Sequence, residues 1–477
     1  MKTKQLAYNV LRDDTCGGLK PSNTMTNKRL TKNSTATDND GIPVLVLNGQ
    51  TFGLGLSDLS TAAQKVVKQL QQSGFDAMVV GGGVRDLLLG LTPKDFDIAT
   101  NATPEEVRAL FKRSRIIGRR FRIVHVMFGA ETIEVTTYRG GDQTTQNDQG
   151  RIMRDNTFGS QAEDALRRDF TCNALYYDAV ANQIYDYHHG VADIKARRLV
   201  MIGEPSQRFR EDPVRILRAL RLSTKLGFEI DGDIKMVLAS CAPWLAAEPP
   251  ARLVDELIKL LLSGHALACL HNIRRFGVKS DVHPFLQILI EQDLDEPFIQ
   301  LALNNTDERI KEGKHVSVGF LLAALLWPKV RESWQQCLLS GLKTQAALNE
   351  AIELVRVELD SGSWGLPHRM TAMCREIWQL QGQFDYLKGQ RPLRLLSQQR
   401  FRAAYDFLLL RHEVGEPNTD MVLWWQIFQE ASEQARAEMV QLDTVPTVEA
   451  QSTGSAGGEP KKRRRRRKPK PASSVEV

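Results

Sequence analysis

The sequence predicts an α+β protein: a small mixed-sheet head followed by an all-helical neck and body. Two observations carry this prediction. Short apolar runs broken by glycines lie between Ala77 and Tyr138, as in strands and their turns, whereas from about Glu204 to Glu438 apolar residues recur with a helical period. The chain has 477 residues, about three times the ~150 residues of a typical single domain, so we expect several packed units.

The predicted head elements form a strand–helix–hairpin order. A helix over Leu59–Gly74, capped by Ser57 or Ser60, comes first. The remaining elements are, in chain order, a strand over Ala77–Val80, a glycine turn, a helix over Val84–Leu89, a strand over Asp95–Ala99, a helix over Pro104–Arg113, and hairpin strands over Arg122–Phe128 and Thr132–Tyr138. The polar stretch Gly140–Gly159 is expected to be a flexible loop, and no strand is expected after Glu204.

Composition changes mark the predicted boundaries. We expect a disordered extension over 1–41, the head over 42–195, the neck over 196–265, the body over 266–445, and a disordered linker with a basic tail over 446–477. The net charge of +6 belongs to the tail, where residues 461–470 hold nine basic residues and no acidic one. The other residues carry a net charge of −3, so the basic balance is local.

Membrane, secreted and disulfide-rich classes are excluded by the sequence pattern. No run approaches the ~18 apolar residues of a membrane span, and no apolar segment follows the N-terminal lysines. Six cysteines form no CxxC pair, which argues against a disulfide framework or a structural zinc site. We therefore expect a cytoplasmic protein with reduced cysteines.

Acidic residues on the predicted strands suit a metal site. In a strand, Asp95 and Asp97 share one face while Phe96 and Ile98 face the core. Mg²⁺ prefers oxygen ligands and is commonly held by one or two carboxylates with substrate phosphates. A solvated strand edge is the alternative. Glu134 on the hairpin is either a third metal carboxylate or a solvent-facing glutamate.

The glycine turn suits a phosphate. Backbone N–H groups of Gly81 and Gly82 can approach phosphate oxygens where a side chain would block them, although an ordinary tight turn has the same composition. Arg85 offers a forked cation, or it pairs with Asp86 in a structural role.

Two downstream clusters combine arginine with acid. Arg168 and Asp169 could bind phosphate and ribose, or form a salt bridge at a helix end. Glu211 and Asp212 lie four and three residues before Arg215, on one face of a predicted helix. That set is either a surface ion pair or an acceptor-and-donor set for the edge of a nucleobase.

The order GGGVRD, DFD, EVTTYR, RRDFTCNAL and REDPVRILRALR resembles the class II nucleotidyltransferase family, which contains tRNA CCA-adding enzymes and bacterial poly(A) polymerases. The similarity spans about Asp76 to Gly264. Residues 116–124 are similar to the element that marks the bacterial poly(A) polymerase branch, and the arginine-rich tail resembles that branch too.

The resemblance implies a role for each motif. Asp95 and Asp97 would hold two Mg²⁺ ions, with Mn²⁺ as a substitute, and Glu134 would be the third catalytic carboxylate. ATP would be the substrate. The nucleotide-binding residues would be Gly81, Gly82 and Arg85 at the triphosphate, Arg168 and Asp169 at ribose and phosphates, and Glu211, Asp212 and Arg215 at the base. The RNA-binding residues would be Arg119, Arg120, Arg122, Arg463, Arg464, Arg465, Arg466 and Arg467, and the neck over 196–265 and the body over 266–445 would also contact RNA.

The implied activity is template-independent addition of AMP from ATP to RNA 3′ ends, with release of pyrophosphate and promotion of RNA decay. A CCA-adding tRNA nucleotidyltransferase is the alternative on the same fold. A noncatalytic RNA-binding protein is the alternative of another class. The implied partners are RNA 3′ ends, RNA chaperones and RNA-decay machinery, and the implied state is a monomer.

Overall fold

The computed structural model describes residues 34–38, 41–118, 122–140, 145–146, 152–154, 157–279, 282–359 and 364–441. Within these ranges the chain forms a sheet-containing head and a long helical region, so the predicted α+β class is confirmed. One continuous hydrophobic core runs from the head through the neck into most of the body. A second cluster, around Phe384 and Trp425, closes the C-terminal part of the body.

The head is built on a nine-stranded mixed sheet of order β1-β2-β11-β10-β3-β4-β7-β6-β5. Strands β4 and β7 are parallel, and the other neighbours are antiparallel. The strands are β1 Ser34–Thr37, β2 Pro43–Asn48, β3 Met78–Val80, β4 Asp97–Thr100, β5 Ser114–Ile117, β6 Ile123–Phe128, β7 Glu131–Thr137, β8 Thr145–Gln146, β9 Ile152–Arg154, β10 Leu175–Asp178, β11 Gln183–Asp186, β12 Arg198–Leu199 and β13 Glu229–Ile230.

Nineteen α-helices are described. They are α1 Thr61–Gln72, α2 Gly82–Leu88, α3 Pro104–Leu110, α4 Gln161–Arg167, α5 Gly190–Lys195, α6 Pro205–Glu211, α7 Arg215–Leu226, α8 Gly232–Cys241, α9 Pro250–Leu261, α10 Ala266–Arg275, α11 Pro284–Glu291, α12 Pro297–Lys311, α13 Val318–Leu339, α14 Thr344–Leu359, α15 His368–Gln381, α16 Arg391–Leu396, α17 Phe401–Glu413, α18 Thr419–Glu430 and α19 Glu433–Met439.

The predicted head elements are present, with shifted ends. Helix α1 is capped by Ser60, whose hydroxyl accepts from the Ala63 N–H, so Ser60 rather than Ser57 is the cap. The predicted strand over Asp95–Ala99 begins at Asp97. Its apolar face is as expected, because Phe96 and Ile98 are buried in the core.

Three expectations about regular structure are wrong. Strand β1 falls inside the predicted disordered extension and pairs with β2, and the rest of that extension up to residue 33 lies outside the described residues. Strands β8 and β9 pair within the stretch expected to be a loop. Strand β13 pairs in parallel with β12, although no strand was expected after Glu204. These strands have two to four residues, too few for alternation to be visible in the sequence.

The helical region buries five tryptophans: Trp327, Trp364, Trp378, Trp424 and Trp425. No helix among the described residues is long and apolar enough to cross a membrane. The five described cysteines are unpaired, and four of them are buried, as expected for reduced thiols.

Candidate active site

The pocket that gathers the predicted site residues lies between the head sheet and the neck helices. It has a volume of about 540 Å³ and is lined from strands β3, β4 and β7 and from helices α2, α4, α6, α7 and α9. Ten of its lining residues are Arg or Lys and five are Asp or Glu. Basic residues therefore outnumber acidic ones two to one in the lining, and the pocket is strongly cationic.

Asp97 and Glu134 form the acidic side of the pocket. Asp97 on β4 lies beside Glu134 on β7 in parallel register, so both carboxylates leave the same face of the sheet. The pKa of Asp97 is raised to about 6, chiefly by burial and in addition by repulsion from Glu134 and Asp95, while Arg168 opposes the shift. Asp95 is exposed just before β4 and does not line the pocket.

The three predicted acids are not gathered into one cluster. Among the described residues, no group of three or more His, Cys, Asp or Glu side chains is arranged to hold a metal ion. Two of the three predicted catalytic acids, Asp97 and Glu134, line the pocket. His125, which the sequence reasoning missed, places its Nε2 atom 3.2 Å from Glu134 Oε1. His125 lies opposite Glu134 in the β6–β7 hairpin, so a prediction of the strand register would have placed the two side chains together.

The glycine turn borders the acidic side. Gly81 has φ +71°, a conformation that favours glycine, and a Cβ there would lie 3.3 Å from Arg168 Nη1. Gly82 begins helix α2 and also lines the pocket. Both glycines are therefore where the sequence expected them, at a turn whose backbone is open to the pocket.

Arg85 lines the pocket in the arrangement that the sequence left as its alternative. It is buried, and its Nε and Nη2 atoms donate to Asp86 Oδ1 over 2.9 and 2.7 Å. Its Nη1 donates to Asn173 Oδ1 over 2.6 Å. All three nitrogens of the guanidinium thus have structural partners.

Arg168 and Asp169 both line the pocket, but each is held by different partners. Arg168 donates to Asp164 Oδ2 over 3.1 Å and to the Tyr176 hydroxyl over 3.0 Å. Asp169 lies 2.8 Å from Arg218 Nη2, an ion pair between head and neck. Although burial acts to raise it, the pKa of Asp169 is lowered, because Arg218 and a hydrogen bond from Asn173 favour the carboxylate.

The predicted base-reading set is split by a helix end. Helix α6 ends at Glu211, Asp212 has a non-helical backbone at φ −152° and ψ 88°, and α7 begins only at Arg215. Glu211 still meets Arg215 at 3.2 Å, as expected. Asp212 does not share their helical face and instead pairs with Arg252 Nη2 at 2.7 Å, so that part of the expectation is wrong.

Glu211 also lies behind the pocket rather than in its lining. Its carboxylate accepts from Arg208 Nη1 over 2.7 Å and from Arg215 Nη1 over 3.2 Å. Asp212 and Arg215 do line the pocket. The pKa of Asp212 is lowered, because Arg252 outweighs the opposing effect of burial, and Asp212 Oδ1 is buried with no hydrogen-bond partner among the described residues.

Arg208 is the main residue that the sequence reasoning missed. Its Nη2 donates to the Arg167 and Arg168 carbonyls over 2.8 and 2.6 Å, while its Nη1 holds Glu211. Arg208 lines the pocket and also ties the neck to the head there. The other missed cations in the lining are Arg139, Arg218, Arg221, Lys225 and Arg252.

A helical spacing would have revealed some of these missed residues. Arg215, Arg218 and Lys225 recur at three- and seven-residue intervals along α7, which places them on one face of that helix.

Most of the arginines predicted to contact RNA lie outside the part of the chain that the structure describes. Arg119, Arg120 and the run Arg463–Arg467 lie outside the described residues, while Arg122 pairs with Glu105 and does not line the pocket.

Comparison with known families gives three matches along the chain. Residues 77–200 match the Poly A polymerase head domain, 227–289 match the probable RNA and SrmB-binding site of polymerase A, and 340–470 match the polymerase A arginine-rich C-terminus.

Curated relatives cover most of the chain. Poly(A) polymerase I of Escherichia coli O6:H1 is 41% identical over 420 residues, which are 85% of this chain and 90% of the relative. Poly(A) polymerase I of Haemophilus influenzae is 38% identical over 83% of this chain and 90% of its own length. The CCA-adding enzyme of Staphylococcus epidermidis is 34% identical over 45% of this chain and 54% of its own length.

The fold also resembles a solved structure. The CCA-adding enzyme of Bacillus stearothermophilus in complex with CTP is 26% identical, has a TM-score of 0.50, and is matched over 77% of this chain and 81% of that one.

Proposed function

The chain belongs to the poly(A) polymerase family, and from this premise we propose that it adds AMP from ATP to RNA 3′ ends without a template, releasing pyrophosphate. The similarity to poly(A) polymerases extends over about 90% of their length at 38–41% identity, whereas the match to the Staphylococcus epidermidis CCA-adding enzyme covers 54% of that relative. The poly(A) branch is therefore favoured over CCA addition.

One observation in the geometry supports this chemistry most directly: the same pocket contains a carboxylate pair and a cationic wall, which consists of the ten Arg and Lys residues of its lining. Asp97 and Glu134 stand side by side on the sheet, and the neck contributes most of the opposing arginines. Such a pocket suits a substrate that carries both metal ions and phosphates, such as a nucleoside triphosphate with Mg²⁺. A purely RNA-binding surface has no need of a partly buried acid pair in which one carboxylate repels the other.

The acid pair fits divalent metal ions. Both groups are oxygen donors, and a bound cation would relieve the burial and repulsion that raise the pKa of Asp97. Asp97 and Glu134 would hold the metal together with Asp95, whose charge already acts on Asp97. Two bound Mg²⁺ ions, or Mn²⁺ in their place, would activate the 3′-hydroxyl and stabilise the leaving pyrophosphate.

The cationic wall would bind the triphosphate. The Nε–H groups of Arg208, Arg218 and Arg221 are buried and have no hydrogen-bond partner among the described residues. An unsatisfied buried donor costs about 1–3 kcal/mol, and a phosphate oxygen is a strong acceptor for it. The partners that Arg168 and Arg218 already have, Asp164 and Asp169, would keep the guanidinium groups in place for the incoming nucleotide.

Asp212 and Arg215 would select the base. Asp212 Oδ1 is an unused buried acceptor, which suits the exocyclic amino group of adenine, and Arg215 supplies donors nearby. A base lacking the matching groups would leave buried polar atoms unpaired, which is the strongest source of discrimination available to a protein. Glu211 would act from behind, by fixing Arg208 and Arg215.

Extension of an unstructured RNA oligonucleotide with Mg²⁺ and each nucleoside triphosphate in turn tests the proposal, beside a tRNA lacking its CCA end. We expect long ladders with ATP alone. Addition that stops after three nucleotides, needs CTP and prefers the tRNA would assign CCA addition instead. RNA binding without any addition would assign the noncatalytic RNA-binding alternative.

Asp97→Ala separates catalysis from RNA binding. We expect AMP addition to vanish while RNA binding persists, since the substitution removes a pocket carboxylate and no cation. Asp255→Ala, at an exposed acid on α9, is the matched control and should extend RNA normally. An unchanged rate in Asp97→Ala would refute the carboxylate's role.

By family analogy, RNA 3′ ends are the partner and a monomer is the expected state. The extended RNA would then be degraded by the RNA-decay machinery.

A further inference from the structure

A second polar groove lies in the body, on helices α14, α15 and α16 and the segment before α16. It has a volume of about 640 Å³, and we call it the amide groove. Its lining consists of four amide side chains, one tyrosine and two arginines: Gln345, Asn349, Gln379, Gln383, Tyr386, Arg391 and Arg394. None of these residues lines the active-site pocket, and no carboxylate is among them.

An exposed aromatic–arginine pair forms one side of the amide groove. The guanidinium carbon of Arg391 lies 4.1 Å from the centroid of the Tyr386 ring, and Tyr386 is 37% exposed. Stacked planar groups of this kind are the surfaces on which single-stranded RNA bases pack. Arg394, on the same helix, adds a second cation to the lining.

The amides form the other side of the groove and are only partly satisfied. Gln345 Nε2 donates to Asn349 Oδ1 over 3.2 Å, and Gln383 Nε2 is at 3.5 Å from the Gln379 carbonyl. Gln345 Oε1 is buried and has no hydrogen-bond partner among the described residues. An amide offers donors and an acceptor side by side, which matches the edges of nucleobases.

The groove adjoins the place where the chain continues toward its basic tail. The Gly389 N–H, between Tyr386 and Arg391, donates to the Val440 carbonyl over 3.0 Å. The nine basic residues of 461–470 follow this point in the sequence. Two cations without a lining carboxylate would repel that tail, so charge favours an anionic occupant over the chain's own basic segment.

We propose that the amide groove is a binding site for single-stranded RNA, separate from the active site, which retains the RNA chain while its 3′ end is extended. Arg391 and Arg394 bind phosphates, bases stack on the Tyr386–Arg391 pair, and the amides accept and donate at base edges. This rests on the proposed function only in taking RNA as the substrate; the groove's affinity for RNA is independent of which nucleotide is added.

Binding of the full chain to a long fluorescent oligo(A), at several salt concentrations, tests the site. Loss of base stacking in Tyr386→Ala should weaken binding about tenfold, whereas Tyr386→Phe should retain most of the affinity. Arg394→Ala should reduce the slope of log K against log salt by about 0.7, the value for one phosphate contact on a single strand. Arg108→Ala, an exposed arginine on α3, is the matched control and should leave the slope unchanged.

A catalytic readout separates this site from the active site. AMP addition to a primer too short to reach the groove should proceed at the normal rate in Tyr386→Ala, which also shows that the variant is folded. The proposal would be overturned if neither Tyr386→Ala nor Arg394→Ala changed the RNA affinity or the salt slope. It would also be overturned if Arg108→Ala lost as much RNA affinity as these two variants. Failure of the proposed activity would appear instead as absent AMP addition in the unmodified chain with groove binding intact.

Discussion

Asp97→Asn should stabilise the metal-free protein while abolishing AMP addition. The carboxylate of Asp97 is held among like charges in a partly buried position, and its pKa is raised from 3.8 to about 6. An amide of nearly the same shape carries no charge, so it avoids both burial of a charge and repulsion by Glu134. A residue kept for catalysis at the expense of stability shows this opposite response of the two properties.

The pKa shift sets the magnitude and the pH window. A shift of about two units corresponds to about 3 kcal/mol of destabilisation of the ionised form. Because the folded-state pKa lies above the unfolded value, this penalty grows as pH rises from about 4 to about 6 and is complete above that range. The variant and the unmodified protein should therefore have equal stability near pH 4 and differ most above pH 6.

Thermal unfolding in the presence of a chelator, at acidic and neutral pH, measures this difference. We expect Asp97→Asn to unfold a few degrees higher at neutral pH, and the exposed-site control Asp255→Asn to show no gain. Adding Mg²⁺ should raise the Tm of the unmodified protein but not of Asp97→Asn, because only the former gains a ligand. A lower or equal Tm for Asp97→Asn at neutral pH would refute the reasoning from like-charge repulsion.

Three further results are expected. Arg215→Lys should lower the ratio of kcat/KM for ATP to that for CTP, since lysine loses the forked donors; an unchanged ratio would remove Arg215 from base selection. Asp212→Asn should reduce the same ratio and lower the Tm, because it weakens the ion pair with Arg252; retained selectivity would argue against an acceptor role for Asp212. Deleting residues 459–477 should weaken RNA binding chiefly at low salt and leave nucleotide preference intact, as measured by binding and by single-nucleotide extension; an altered preference would contradict the phosphate-binding role of the tail.

The acidic side of the site was predictable because strands have a simple period. Alternation in β4 and β7 places Asp97 and Glu134 on the face opposite the buried Ile98, Ile133 and Val135, and this is what the structure has. The parallel pairing that sets the two acids side by side is a long-range contact, and nothing local in the sequence specifies it. The motif order supplied that step through the family resemblance.

The neck was mispredicted at one residue for a reason that the sequence contains. Asp212 precedes Pro213, and a proline disfavours the helical conformation of the residue before it. The chain therefore leaves the helix at Asp212, whose carboxylate turns to Arg252, forty residues later. The helix end was readable from the proline, whereas the partner was not, because it depends on how α9 packs against the neck.

The partners of each acid distinguish two kinds of carboxylate around the pocket. Asp164, Asp169, Glu211 and Asp212 each form an ion pair with arginine, and for Asp169 and Asp212 the pKa is lowered accordingly. Such acids hold cations in position. Asp97 forms no ion pair among the described residues, and its pKa is raised instead. A charged group left in that condition gains most from an added cation, so these electrostatics support the proposal that Asp97 binds the metal while the paired acids hold arginines in position, a distinction that spacing in the sequence could not make.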